Sequence, residues 1–364
     1  MTVPVANRPV LDRIVSGSLA YVRGCTTLRI SPDEVCILTD HRILQLSWTR
    51  DGYYQALLLL RTGAGDDAAL VADHLRWLWG RCRRPERLWM RSHLPNGEPK
   101  DLVFQADQQL YPLLELADYR ETTGAWPDPP RGTSWPRLVD ELWAALPVDE
   151  GLVPSDENPA DDSAQLPFAL STQILYWHTA QRLGHLAEEL GTRTDFAAAT
   201  RATPRAIEEH FAADGPLGPQ WAYETNRAGE HRLYHDANDV PTALAPSWGF
   251  CEPSDPRWAG TMRFAFSAHN PGYSPGRLGG LGSLHTPGTW PLGDIQEWIA
   301  MRQLGDREAA ARALTRLESV ASSDGMLPEA YDSDSGEWLA RHWFAWPGAL
   351  LGALLANGSH ACGR

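Results

Sequence analysis

Cysteine, lysine and long apolar runs are what this chain lacks. Its five cysteines, Cys25, Cys36, Cys82, Cys251 and Cys362, are scattered and odd in number. That excludes a disulfide framework and a paired-cysteine zinc site, and a reducing cytoplasm is the expected home. Lys100 is the only lysine among 32 basic residues, which reads as the mark of a GC-rich genome rather than of chemistry. No stretch approaches the ~18 consecutive apolar residues of a membrane-spanning helix. The opening MTVPVANRPVLDRIV shows no basic segment followed by an apolar one, so no secretory leader is expected. Basic residues are outnumbered, 32 against 46 acidic, for a net charge of −14. This balance argues against nucleic acid or an anionic membrane as partner, because phosphate binding wants clustered positive charge.

Cofactor motifs are missing as well. The twelve histidines form neither HExxH nor closely paired ligands, so no metal is expected. There is no GxxxxGK[ST] phosphate loop and no GxSxG elbow. The glycines of 276–282 (GRLGGLG) neither follow a strand nor open a helix. No cofactor is therefore called.

What is present is a large, ordinary globular composition. The 364 residues are 43% hydrophobic and 21% charged, enough to bury a core without staples. Tryptophan (16) outnumbers both Tyr (10) and Phe (8). Its broad apolar face and single N–H suit stacking beneath sugar rings as well as core packing, and core is the default for any one of them. Apolar residues recur at helical spacing over 43–61 and 66–82. Further helical stretches are 104–121, 135–146, 164–190, 205–213, 239–248, 290–304, 306–322 and 343–356, with Asp66 and Ser134 as caps. Strand signals are sparse; 18–30 is the best and allows a hairpin. Nearly a dozen helices with no dividing linker or solenoid repeat predict a single all-α domain over 1–364. The expected form is an α/α barrel of alternating inner and outer helices, with 1–30 as an N-terminal extension or hairpin.

Long loops at 92–101, 122–134, 148–163, 214–235 and 267–289 carry Trp, His and carboxylates, the mark of functional loops. Within 151–163 (GLVPSDENPADDS), Asp156, Glu157, Asp161 and Asp162 precede a long helix; capping and solvation explain such a cluster as readily as chemistry does. Glu329, in MLPEAY, sits among apolar and aromatic residues as either a base or a partner of Arg341. Arg50 and Asp51 lie inside an apolar helix and need partners there; a salt bridge and a sugar-binding pair fit equally.

Eight pieces in order place these residues in one frame. They are SWTRDGYY (47–54), QADQQLYPLLELADYRETTG (105–124), GLVPSDENPADD (151–162), WAYETN (221–226), HDANDVPTALAPSWGF (235–250), GLGSLHTPGTWP (280–291), GMLPEAY (325–331) and RHWFAWPGALLG (341–352). Together, over about residues 40 to 356, the chain resembles the family-125 glycoside hydrolases, metal-independent exo-α-1,6-mannosidases with an (α/α)6 barrel. The resemblance implies an inverting, exo-acting hydrolase of a terminal α-linked sugar, most simply α-1,6-mannose, with a small carbohydrate or glycoside as its partner. It implies a general acid at Asp161 or Asp162, Asp161 being favoured, and a general base at Glu329. Arg50 and Asp51 match the terminal-sugar subsite, while Asp107, Asp236, Asn238 and His285 match sugar-contacting or supporting positions. Trp48, Trp290, Trp343 and Trp346 are candidate ring-stacking surfaces, and Arg341 completes the substrate-binding set. Two departures flank the carboxylates: Asn158 stands where the family has arginine and Pro328 where it has histidine. They leave the hydrolytic apparatus in place but leave room for another sugar, as in the tailoring of a glycosylated metabolite. A carbohydrate-binding pseudoenzyme is the alternative from another class, and retention of the Asp161/Asp162 pair and Glu329 argues against it.

Overall fold

The computed structural model describes residues 8–42, 44–63, 65–340 and 343–360. Among them lie twelve α-helices: α1 (Arg8–Tyr21), α2 (Thr49–Thr62), α3 (Asp67–Arg76), α4 (Asp107–Thr123), α5 (Trp135–Ala145), α6 (Leu170–Leu190), α7 (Phe196–His210), α8 (Val240–Leu244), α9 (Pro256–Ala265), α10 (Pro291–Gln303), α11 (Arg307–Val320) and α12 (Ala345–His360). The even-numbered helices form a ring. Helix α2 packs on α4, α4 on α6, α6 on α8, α8 on α10, α10 on α12, and α12 closes back on α2. The odd-numbered helices stand outside: α1 against α12, α3 against α2 and α4, α7 against α6, and α11 against α10. This is the alternation of an (α/α)6 toroid.

Sequence explains which helix goes where. An inner helix is covered on all sides, so its apolar residues need no stripe. Helix α2 is buried from Thr49 to Leu60 and α10 from Pro291 to Met301. Leu57, Leu58, Leu59 and Leu60 are buried consecutively, each worth roughly 1.5–3 kcal/mol over an exposed position. Only a ring helix can bury four in a row. The outer α11 instead buries Ala309, Ala310, Ala313, Leu314 and Leu317, a one-sided stripe. Helix α6 stops at Gly191, whose φ of 73° is the left-handed conformation a helix end requires.

Strands are short. Residues 18–30 do not form the predicted strand: they cover the end of α1, a π-helical turn at Val22–Thr26, and only then β1 (Thr27–Ser31). Strand β1 pairs antiparallel with β2 (Glu34–Ile37), so the hairpin exists but begins later. Helices α1 and α9 were not signalled by periodicity. Asp66 and Ser134 precede α3 and α5 as expected, without a side-chain cap bond. No helix among the described residues is long and apolar enough to cross a membrane.

Candidate active site

The starts of α2, α10 and α12 meet the loops before α6 and α8 at one mouth. Trp48 caps α2, with Arg50 and Asp51 in the first turn. Asp107 opens α4, Trp290 caps α10, and Phe344 and Trp346 stand at the start of α12. The loop before α6 brings Ala160 and Asp161; that before α8 brings Asn238. One pocket is lined by Trp48, Arg50, Asp51, Ala160, Asp161, Asn238, His285, Trp290, Glu329, Phe344 and Trp346. Helix N-termini carry partial positive charge, which favours the carboxylates gathered there.

Arg50 is the hub. Its Nη1 donates to Asp107 Oδ2 at 2.9 Å, its Nη2 to Asp161 Oδ1 at 3.4 Å, and its Nε lies 3.7 Å from Asp51 Oδ2. The guanidinium also sits 5.1 Å from the ring centre of Trp346, a cation–π distance. Burial alone would push the Arg50 pKa down; Asp107, Asp161 and Asp51 instead hold it above its ordinary value. Burial raises the Asp107 carboxyl above the usual range, against the pull of Arg50. Asp51 accepts a short hydrogen bond from the Thr39 hydroxyl. The Nε1 of Trp48, the Nε1 of Trp346 and the Nε of Arg50 are buried donors that find no hydrogen-bond partner among the described residues. Orphaned donors are costly, and three on residues lining one pocket fit a ligand rich in hydroxyls.

The loop before α6 is built to present Asp161. The Asn158 side-chain oxygen accepts from the backbone N–H of Ala160 (2.9 Å) and of Asp162 (3.1 Å), and Asn158 N–H donates to the Asp162 carbonyl (2.8 Å). Asn158 is thus a loop organiser, and the tight turn forces Asp161 to a φ of 65°, an uncommon conformation for a residue with a Cβ. Asp161 Oδ1 accepts from Gln105 Nε2 at 2.7 Å, and the same amide reaches Glu157 at 3.0 Å. Glu157, tied to Arg91, is raised by burial. None of these acidic residues caps α6.

Glu329, which lines the same pocket, is 6% exposed and its backbone N–H donates to the Ala340 carbonyl at 3.1 Å. Asn238 is oriented by Asp236, whose Oδ1 accepts from its N–H (2.8 Å) and side-chain amide (2.7 Å). The other oxygen of Asp236 takes the Ser283 hydroxyl at 2.7 Å and the Tyr234 hydroxyl at 2.5 Å. Asp162 is half-exposed outside the pocket, 3.0 Å from His285 Nδ1.

The structure therefore brings Trp48, Arg50, Asp51, Asp161, Asn238, His285, Trp290, Glu329 and Trp346 to one cavity. Asp107 and Asp236 stand one shell behind, and Asp162 at the rim. Trp343 is not among the lining residues; it stacks on His41 at 5.7 Å and meets Tyr21 edge-on. Arg341 lies outside the described residues. Sequence reasoning missed Gln105, Ala160 and Phe344. The polar QADQQ run opening an otherwise apolar helix was the signal for Gln105. Among the described residues no three His, Cys, Asp or Glu side chains are grouped as a metal site would require.

A family model described as metal-independent alpha-mannosidase (GH125) matches residues 143–356. No curated protein sequence matches. Among solved structures, the chain resembles a metal-independent alpha mannosidase of Streptococcus pneumoniae in a non-productive complex with alpha-1,6-mannobiose. The TM-score is 0.77 at 19% identity, over 96% of this chain and 95% of that one. A glycosidase in complex with glucose gives 0.69 at 17% identity, over 98% and 99%. The Hormoconis resinae glucoamylase gives 0.69 at 10% identity, over 97% and 74%.

Proposed function

Because the chain belongs to the metal-independent alpha-mannosidase family (GH125) and is a glycoside hydrolase, we propose that it removes a terminal α-linked mannose, 1,6-linked, with inversion. Asp161 serves as general acid and Glu329 as general base, within one domain spanning 1–364. The observation that carries this reading is that Asp161 and Glu329 line the same pocket. Inverting hydrolysis uses two carboxylates ~6.5–9.5 Å apart with water between one of them and the anomeric carbon. Asp161 Oδ1 is held by Gln105 and Arg50, which leaves Oδ2 to carry the proton to the leaving oxygen. Glu329 takes a proton from the attacking water. Arg50, Asp51 and Asn238 hold sugar hydroxyls, and the free N–H groups of Trp48 and Trp346 add donors.

Glucose is the second reading. The neighbour bound to glucose favours it, as does Asn158, whose side-chain oxygen is spent within its own loop. A panel of aryl α- and β-glycosides together with α-1,6-mannobiose tests both. The α-mannosides should turn over and Glu329→Gln should abolish it. Exclusive turnover of α-glucosides would favour the second reading, and binding without turnover would make the chain a carbohydrate-binding protein.

A further inference from the structure

Glu329 immediately precedes a short strand, Ala330–Tyr331, whose position is fixed from behind. Tyr331, two residues on, is fully buried and donates its hydroxyl to Asp294 Oδ2 at 2.7 Å. Asp294, in the first turn of α10, is itself fully buried, and its other oxygen accepts from Arg316 Nε of α11 at 2.6 Å. Arg316 also pairs with Glu297. A guanidinium from the outer layer thus anchors an inner-ring carboxylate, which anchors the tyrosine. The backbone of Tyr331 is clamped on the same side: its N–H donates to Thr289 O at 2.8 Å and its carbonyl accepts from Thr289 N at 2.9 Å. Thr289 adjoins Trp290, a pocket residue.

The pairing of 330–331 with 338–340 is irregular. Ala330 faces Ala340 but Tyr331 faces Trp338, so Leu339 is an extra residue. Such bulges locally bend and re-aim a strand. With the register broken next to Glu329, the ladder alone does not fix where its carboxylate points, and the hydroxyl-to-carboxylate anchor two residues away constrains the backbone that carries it. A charge-assisted hydrogen bond between buried groups suits that task, being stronger and more directional than a neutral one. An anchor of this kind matters for a base, whose position against water must hold within about 0.5 Å.

We infer that Tyr331 and Asp294, backed by Arg316, are positioning residues that set the Glu329 carboxylate for water activation. The inference rests on Glu329 being the base. Tyr331→Phe removes one oxygen from a packed ring. With an aryl α-mannoside it should lower kcat about ten- to a hundred-fold while KM stays within about twofold.

Azide separates positioning from a merely structural role. In Glu329→Ala, azide can attack the anomeric carbon as the carbon–oxygen bond to the aryl group breaks, giving a β-glycosyl azide and the phenol, with Asp161 supplying the proton. No base is then needed. Adding Tyr331→Phe to Glu329→Ala should leave the azide-dependent rate within about twofold. An equal loss in both backgrounds, or no loss in the parent, overturns the inference. If Glu329→Ala alone keeps full hydrolysis, the base assignment fails first and the inference with it. If Tyr331→Phe does not fold, Asp294→Asn carries the same comparison.

Discussion

Replacing Arg50 by methionine deletes the guanidinium that pairs with Asp107 and Asp161 and lies near Asp51, with both Arg50 and Asp107 side chains 4% exposed. Breaking a buried ion pair from one side costs about 3–5 kcal/mol, because the stranded charges remain in low dielectric. Unfolding entropy near 2.1 cal/mol/K per residue, over 364 residues, gives about 0.76 kcal/mol/K. The melting temperature at pH 7 should then fall by about 4–7 °C. The loss must depend on pH in a defined direction. Arg50 pulls the Asp107 carboxyl down against burial, so its removal lets that pKa rise further. A folded-state carboxyl pKa above the unfolded value means the native state binds more protons. Stability relative to the parent is therefore lowest at high pH and recovers as pH falls toward 5. Differential scanning fluorimetry at pH 5, 6, 7 and 8 reads this directly. A variant within 1 °C of the parent at pH 7 refutes the hub argument, and so does a deficit equal at pH 5 and 8.

Three further outcomes are expected. Asp161→Asn should cripple cleavage of substrates with poor leaving groups and spare part of the rate on nitrophenyl glycosides; equal loss on both makes Asp161 something other than the acid, and the same pattern at Asp162→Asn would move the role there. His178 stacks on Trp248 with centroids 4.0 Å apart, and burial depresses its pKa to about 3. Its neutral form supports folding above pH 6.5, and that support is lost as pH falls toward 3, so His178→Phe should gain about 2 kcal/mol relative to the parent between pH 7.5 and 5; a constant difference in denaturant melts contradicts this. A Cβ on Gly293 would lie 2.2 Å from the Leu281 carbonyl oxygen, so Gly293→Ala should cost about 1–3 kcal/mol by overpacking, seen as an earlier urea midpoint; an unchanged midpoint would show that α10 can shift away.

Helix existence was legible where amphipathic or wholly apolar periodicity is strong, as in α2, α6 and α11. It failed for α1 (RPVLDRIVSGSLAY) and α9 (PRWAGTMRFA), where glycine, serine and bulky residues lower intrinsic propensity and tertiary packing supplies the stability. The register at 18–30 was misjudged because β-branched residues there serve a helix end and a π-turn before any strand. Most of the pocket was legible because charged residues inside apolar helices, such as Arg50 and Asp51, must have a purpose. Backbone geometry was not: the left-handed φ of Asp161 comes from a turn braced by the Asn158 side chain and the bulge beside Glu329 from irregular hairpin pairing, and neither leaves a periodic signal. Trp343 looked like its neighbours Phe344 and Trp346 in sequence, yet it packs on His41 and Tyr21, since one-residue steps on a chain turn side chains to different walls.

The pairing of Asp161 with Glu329 as acid and base of an inverting reaction is tested most directly by the configuration of the first product. Proton NMR of an aryl α-mannoside during the opening minutes of turnover should show the β-anomer appearing first, with the α-anomer growing only by mutarotation. Appearance of the α-anomer first would mean retention through a covalent intermediate, and would contradict the assignment of Glu329 as a base acting on water.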